Sequence, residues 1–208
     1  MDTKSETSAP VKKYIVTDPP FAQSLFGDWR WAWLWLIVRL YIGYQWLVAG
    51  WYKIISPSWV GAQAGTALRG FLNNSISLTS GAHPTVQPWY AAFVKAVILP
   101  AVGFWSYVVA FGEVLVGLGL ILGIFTGIAA LFGFFMNMNY LLAGSVSTNP
   151  ILLFLSIFII LAWKTAGWWG LDRWVLVDLG TPWSPGLAFT GKTAKKLSEP
   201  TTEMKGSH

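Results

Sequence analysis

Cysteine is absent from this chain of 208 residues. That excludes disulfides, thiolate nucleophiles, cysteine-ligated iron–sulfur clusters and cysteine–zinc sites. Histidine is nearly absent: His83 and the terminal His208 are the only two, so a bis-histidine haem inside a membrane has no ligands. No metal, haem or iron–sulfur centre is expected. Redox chemistry would need a diffusible carrier or a partner subunit. Charge is scarce as well. Asp, Glu, Lys and Arg make up 11% of the residues, against about a quarter in a soluble domain. No acidic residue lies between Trp51 and Gly112. The first 28 residues are polar, carry Pro10, Pro19 and Pro20, and lack the basic-then-apolar pattern of a secretory signal. The first apolar segment is then its own insertion signal.

What is present is apolar. The hydrophobic share is 54% and the mean hydropathy is +0.53. About 20 apolar residues span a bilayer, and four segments qualify, at about 31–51, 103–124, 126–144 and 151–169. The expected fold is an all-α, polytopic membrane four-helix bundle. Residues 29–175 form its membrane domain, between polar tails at 1–28 and 176–208. An interfacial segment is expected near Phe21 to Phe26. Trp29, Trp31, Trp33 and Trp35 crowd the start of span 1, where indoles sit at headgroup level. Short turns join spans 2, 3 and 4, which makes them antiparallel neighbours.

Residues 54–98 form the only long connection. Amphipathic pieces at 59–72 and 89–99 predict short helices lying on the membrane surface. Arg69, His83 and Lys95 make this connection basic, which suits either lipid headgroups or the approach of an anion. Asn73-Asn74-Ser75 matches a glycosylation sequon and matters only in a eukaryotic secretory context. The net charge of +5 is dispersed over termini and loops. It suits membrane lipid and excludes nucleic acid as the expected partner. Lys12, Lys13, Arg30, Lys164 and Arg173 outnumber Lys53, Arg69 and Lys95, so the positive-inside rule predicts a multi-pass protein of the cell membrane with cytoplasmic termini. Lys164 is expected to snorkel to the interface.

Span 1 contains an arginine. At 100° per residue, Arg39, Gly43, Trp46, Gly50 and Lys53 share one stripe. A charge at the helix centre costs about 2.5–3.5 kcal/mol on insertion scales. Counted from the span ends, Arg39 lies roughly 12 Å from the inner edge and Glu113 roughly 15 Å from the outer edge of a core ~30 Å thick. The matching depths predict an Arg39–Glu113 pair, which is either a structural staple or a functional site. Glycines along span 2 favour close helix packing and leave room for a flat ring. Asn137 and Asn139 in span 3 need partners, either on neighbouring helices or on a ligand carbonyl.

The pattern Arg39-x3-Gly43-x6-Gly50-x2-Lys53 resembles the start of DoxX/DoxD-like membrane proteins. So does Gly112-Glu113-x3-Gly117-Leu118-x-Leu120-x2-Gly123-x2-Thr126. Pro88-Trp89-Tyr90 and the ending Gly167-x2-Gly170-Leu171-Asp172 are similar to the DoxD branch. The resemblance covers about residues 30–175 and implies a four-helix membrane bundle. It further implies the membrane subunit of a thiosulfate:quinone oxidoreductase, working beside a small DoxA-like subunit. Such an enzyme joins two thiosulfates to tetrathionate and passes two electrons to quinone, a diffusible acceptor. On that reading Arg39 and Glu113 are catalytic, with Glu113 exchanging protons and Arg39 holding its charged form. Lys53, Arg69 and Lys95 meet thiosulfate on the outer side, and Trp46, Asn137 and Asn139 contact quinone. Two rival functions are a non-catalytic membrane subunit that scaffolds a respiratory or photosynthetic complex, and a small-molecule transporter.

Overall fold

The computed structural model describes residues 18–180, and all the regular structure in them is helical. The expectations for residues 1–17 and 181–208 lie outside the described residues. In chain order the helices are α1 (Pro20–Gly27), α2 (Ala32–Ile54), α3 (Thr66–Ser77), α4 (Pro88–Phe93), α5 (Val102–Leu122), α6 (Thr126–Leu142), α7 (Asn149–Leu161), α8 (Trp163–Ala166) and α9 (Asp172–Leu179). The expected bundle is formed by α2, α5, α6 and α7, with α2 lying along α5 and α6 along α7. Its interior buries Ile42, Trp46, Val116, Leu120, Ala130, Leu152 and Ile159. Leu115, Ile128, Phe132, Phe135 and Phe154 face outward and are more than half exposed. An apolar surface this extensive is unfavourable in water and suits lipid. The stretches Trp29–Ile54 and Pro88–Leu122 are long and apolar enough to cross a membrane, while Thr126–Leu142 and Asn149–Leu161 are shorter apolar helices.

Glycine sets the α2–α5 contact. A Cβ on Gly117 would lie 2.5 Å from the Leu47 amide nitrogen, and one on Gly50 would lie 2.7 Å from the Val114 nitrogen. Backbones this close are reached only where the facing side chain is missing, as in small-xxx-small helix pairs. The two contacts also fix the antiparallel register. Gly50 stands opposite Glu113 and Val114, Leu47 opposite Gly117, and Gly43 opposite Leu120 and Ile121.

At one end of the bundle the long connection folds into a second small core. Leu68 and Leu72 of α3 pack with Val86, Tyr90 and Val94, and with Val102 and Ala143. This region departs from the expected pair of separate surface helices in two ways. The first helix begins only at Thr66, after a run of turns ending at Gly65. The second is not separate: α4 continues through a π-helical stretch, Val94–Ile98, and a short 3-10 turn, Leu99–Ala101, into α5. Pro100 lies at this irregularity. Its ring crowds the preceding turn and it has no N–H to donate, so the hydrogen-bond pattern must shift locally rather than run on unchanged.

At the other end α1 forms a helix over the expected segment near Phe21 to Phe26 and is tied to the bundle. The Trp35 Nε1 donates to the Leu25 carbonyl at 3.0 Å, and Phe26 stacks on Trp35 and meets Phe158. Trp35 is therefore a core residue and not one of the expected row of interfacial indoles, whereas Trp29, Trp31 and Trp33 are exposed. The last apolar segment does not run straight to 169. It ends at Leu161, turns through α8, and returns under the bundle along Gly167–Leu171. Lys164 is exposed and lies 5.8 Å from the Trp163 ring centre.

Candidate functional site

The buried charges are paired differently from the sequence expectation. Glu113 is 1% exposed, and its partner is Lys53, with Nζ to Oε2 at 2.6 Å. The second carboxylate oxygen, Oε1, accepts from the Tyr140 hydroxyl. Arg39 is not there. Gly50 stands opposite Glu113, and Arg39 is 11 residues from Gly50, roughly 16 Å along the helix. Depth counted from span ends assumed that α2 and α5 finish level. Instead α5 ends at Leu122, facing Arg39, so the α5–α6 turn is recessed beside the middle of the first turns of α2.

Lys53 follows Gly50 by three residues on the stripe of α2, so its stem passes the Gly50–Glu113 contact and its amine reaches back to the carboxylate. The side chain is 20% exposed. Its amine also lies 5.1 Å from the Trp59 ring and 6.0 Å from the Tyr140 ring. Ser106 donates to the Trp59 carbonyl at 2.7 Å, which holds that indole in place. Phe71 of α3 meets Tyr140 edge-on, and Trp46 stacks beside it. The cluster therefore links a partly exposed cation, a buried carboxylate and the Tyr140 phenol. Aromatic rings surround it and strengthen its electrostatics by excluding water.

Two further polar groups share this face. The Trp46 Nε1 is buried without a partner, and a Cβ on Gly133 would lie 3.0 Å from it. Asn137 is fully buried, and neither its amide nitrogen nor its oxygen has a partner. Gly133, Asn137 and Tyr140 follow one another at helical spacing, so they line one stripe of α6. Asn139 is engaged elsewhere: its amide donates to the Phe135 carbonyl, and its own carbonyl accepts from Tyr90. Arg69 and Lys95 are exposed and make no hydrogen bond or ion pair with the cluster. Of the eight residues singled out from sequence, the structure brings together Lys53 and Glu113, with Trp46 and Asn137 on the face beyond Tyr140.

Arg39 and Asp172 complete a helix turn instead. A helix end leaves its last carbonyls without partners. Here Gly119 O accepts from Gly123 N and Ile124 N, and Leu122 O from Leu171 N. Gly123 O accepts from Asp172 N, while Leu120 O and Ile121 O accept from Arg39 Nη1. Arg39 Nη2 donates to Trp169 O at 2.9 Å. At the start of α6, the Asp172 carboxylate accepts from Phe125 N at 2.6 Å and Thr126 N at 2.9 Å. A cation thus sits at a helix C-terminus and an anion at a helix N-terminus, each matching the local dipole. Gly123 has φ +65°, and a Cβ there would lie 2.8 Å from Arg39 Nη1, so both conformation and space require glycine.

Tyr140 escaped the sequence reading because a tyrosine near a helix end reads as an interfacial aromatic. Its signal was position, three residues beyond Asn137 on the same stripe. Among the described residues no group of three or more metal-ligating side chains occurs.

A helical bundle with an apolar exterior, two membrane-length helices and a buried ion pair defines this as a helical membrane protein. The DoxX family model matches residues 34–144, just over half of the chain, and the chain belongs to that family. Neither the curated proteins nor the solved structures yield a match.

Proposed function

We propose that this DoxX-family protein is a DoxD-type membrane subunit of a quinone-linked oxidoreductase, with thiosulfate as the electron donor. In this reading α2, α5, α6 and α7 all cross the membrane, both termini are cytoplasmic, and a small DoxA-like subunit is the partner. Residues 29–175 are the membrane domain.

The observation that supports the reading is the Lys53–Glu113–Tyr140 cluster with the unpartnered Trp46 and Asn137 beyond it. Joining two thiosulfates forms one S–S bond and releases two electrons and no protons. Quinone becomes quinol by taking two electrons and two protons. The protein must therefore deliver protons where the electrons arrive. Tyr140 can give its hydroxyl proton to quinone and regain one from Glu113, which is reprotonated from the outer surface by way of Lys53, once for each of the two protons. Lys53 also places positive charge where an anionic donor would approach, with Arg69 and Lys95 as exposed cations of the same long connection. Trp46 and Asn137 offer the donors that would orient a carbonyl. Arg39 has no place in this chemistry, because its donors serve helix carbonyls.

Mass spectrometry of small molecules extracted from the chain, purified with its partners, tests quinone binding. Quinone is expected in the wild type and at a lower level in Asn137→Leu. Lipid alone in the wild type would refute the quinone assignment.

A second reading is a non-catalytic scaffold subunit. Arg39, Gly50, Gly117, Gly123 and Asp172, all within the family-like motifs, serve packing and capping, and this favours it. Under that reading Glu113→Gln lowers stability and leaves turnover of the assembled complex unchanged.

A further inference from the structure

At the end of the bundle away from the Lys53 cluster, a groove of about 530 Å³ opens between the end of α5 and the start of α9. Ile121 and Leu122 form its floor, and Trp168, Trp169, Trp174 and Arg173 its rim. Trp169 and Trp174 are exposed, by 64% and 62%. The Arg173 guanidinium lies 5.3 Å from the Trp168 ring, and both residues line the groove. Arg173 forms no ion pair among the described residues. Asp172 is turned into the fold, where both carboxylate oxygens are taken by α6 amides. Asp178 is five residues beyond Arg173, about 140° around the helix. Among the described residues the rim thus carries a cation with no opposing carboxylate beside it.

Leu122, which lines the groove, also belongs to an exposed apolar row on α5. Leu115, Leu118 and Leu122 are all exposed and recur at helical spacing along one face of α5. A cation among indoles at one end and an apolar track leading away from it match a two-part ligand, an anionic head with a hydrocarbon tail. Indoles settle at the headgroup level, and basic pockets beside membrane helices recognise phosphate headgroups.

We propose that this groove binds one anionic phospholipid of the adjoining leaflet, with its phosphate on Arg173 and an acyl chain along Leu122, Leu118 and Leu115. Trp169, whose carbonyl accepts from Arg39, forms part of the rim. Lipid binding therefore stabilises the loop that caps α5, and the site is independent of the quinone chemistry proposed above.

The test is native mass spectrometry of the full chain released from bilayers holding equal amounts of phosphatidylglycerol and phosphatidylcholine. The wild type is expected to retain one phosphatidylglycerol in preference to phosphatidylcholine. Loss of the cation in Arg173→Gln should weaken that preference about fivefold, while Arg69→Gln, which removes an exposed cation of the other end, leaves it unchanged. Trp174→Ala, which opens the rim without changing charge, should also lower retention. Equal retention of the two lipids by the wild type would overturn the proposal. So would an undiminished preference in Arg173→Gln, or an equal loss in Arg69→Gln.

Discussion

Replacing Arg39 with methionine keeps the length of an apolar side chain and removes the cap of α5. Three carbonyls, Leu120 O, Ile121 O and Trp169 O, lose their charged donor. Hydrogen bonds to charged groups contribute about 1.5–3 kcal/mol each, for a gross loss of about 4–9 kcal/mol. Releasing the protein from burying a guanidinium returns several kcal/mol of that. The net expected destabilisation is about 3 kcal/mol, or a Tm lower by about 6–12 °C for a chain of this size. Lysine at the same position has one compact ammonium and cannot reach α5 and Trp169 together as the fork does, so Arg39→Lys should recover about half of the loss. Tryptophan fluorescence during thermal unfolding in detergent measures both variants, and quinone reduction per folded protein is followed in parallel. Turnover below the melting temperature should match the wild type, because the Glu113 cluster lies roughly 16 Å away. An unchanged Tm in Arg39→Met would refute the capping argument. Lost turnover at an unchanged Tm would return Arg39 to a catalytic role.

Other perturbations separate the remaining parts. Gly117→Ala places a methyl 2.5 Å from the Leu47 nitrogen; α2 and α5 must move apart, at a cost of about 1–3 kcal/mol in thermal unfolding. Asp172→Asn leaves one acceptor oxygen for two amides and removes the anion from the α6 N-terminus, which should cost about 1–2 kcal/mol, also read as a lower Tm. Lys53→Met and Glu113→Gln, taken singly and together in a double-mutant cycle, should show a coupling of about 2 kcal/mol; additive effects would mean that the ion pair contributes nothing to the fold.

Much of the architecture could be read from the amino acids. Runs of apolar residues near 20 long, short turns at Gly123–Phe125 and Ser145–Thr148, and glycines at packing distance in α2 and α5 specify an antiparallel helical bundle. The pairing of buried charges could not. It depends on where α5 stops relative to α2, and that is decided by the contacts of Gly50 with Val114 and Gly117 with Leu47, not by the span lengths. The amphipathic piece at 89–99 reads as a separate surface helix, because sequence alone does not show that the chain passes through a shifted hydrogen-bond pattern at Pro100 and runs on into α5. The motif Gly167-x2-Gly170-Leu171-Asp172 was visible as a pattern but not as a function. Its role lies in backbone bonds to Leu122 and Gly123, about 50 residues away, which no local spacing reveals. Tyr140 belongs to the same category, since only the fold brings its hydroxyl to Glu113.

The role of Glu113 is tested most directly by thiosulfate-driven quinone reduction in the full chain with its partner subunit, wild type against Glu113→Gln, below the melting temperature of both. If Glu113 carries protons, the wild type turns over and the variant loses about 100-fold or more, the range of a general acid–base group, while remaining folded. Equal turnover in the two proteins, or no turnover in either, would contradict it.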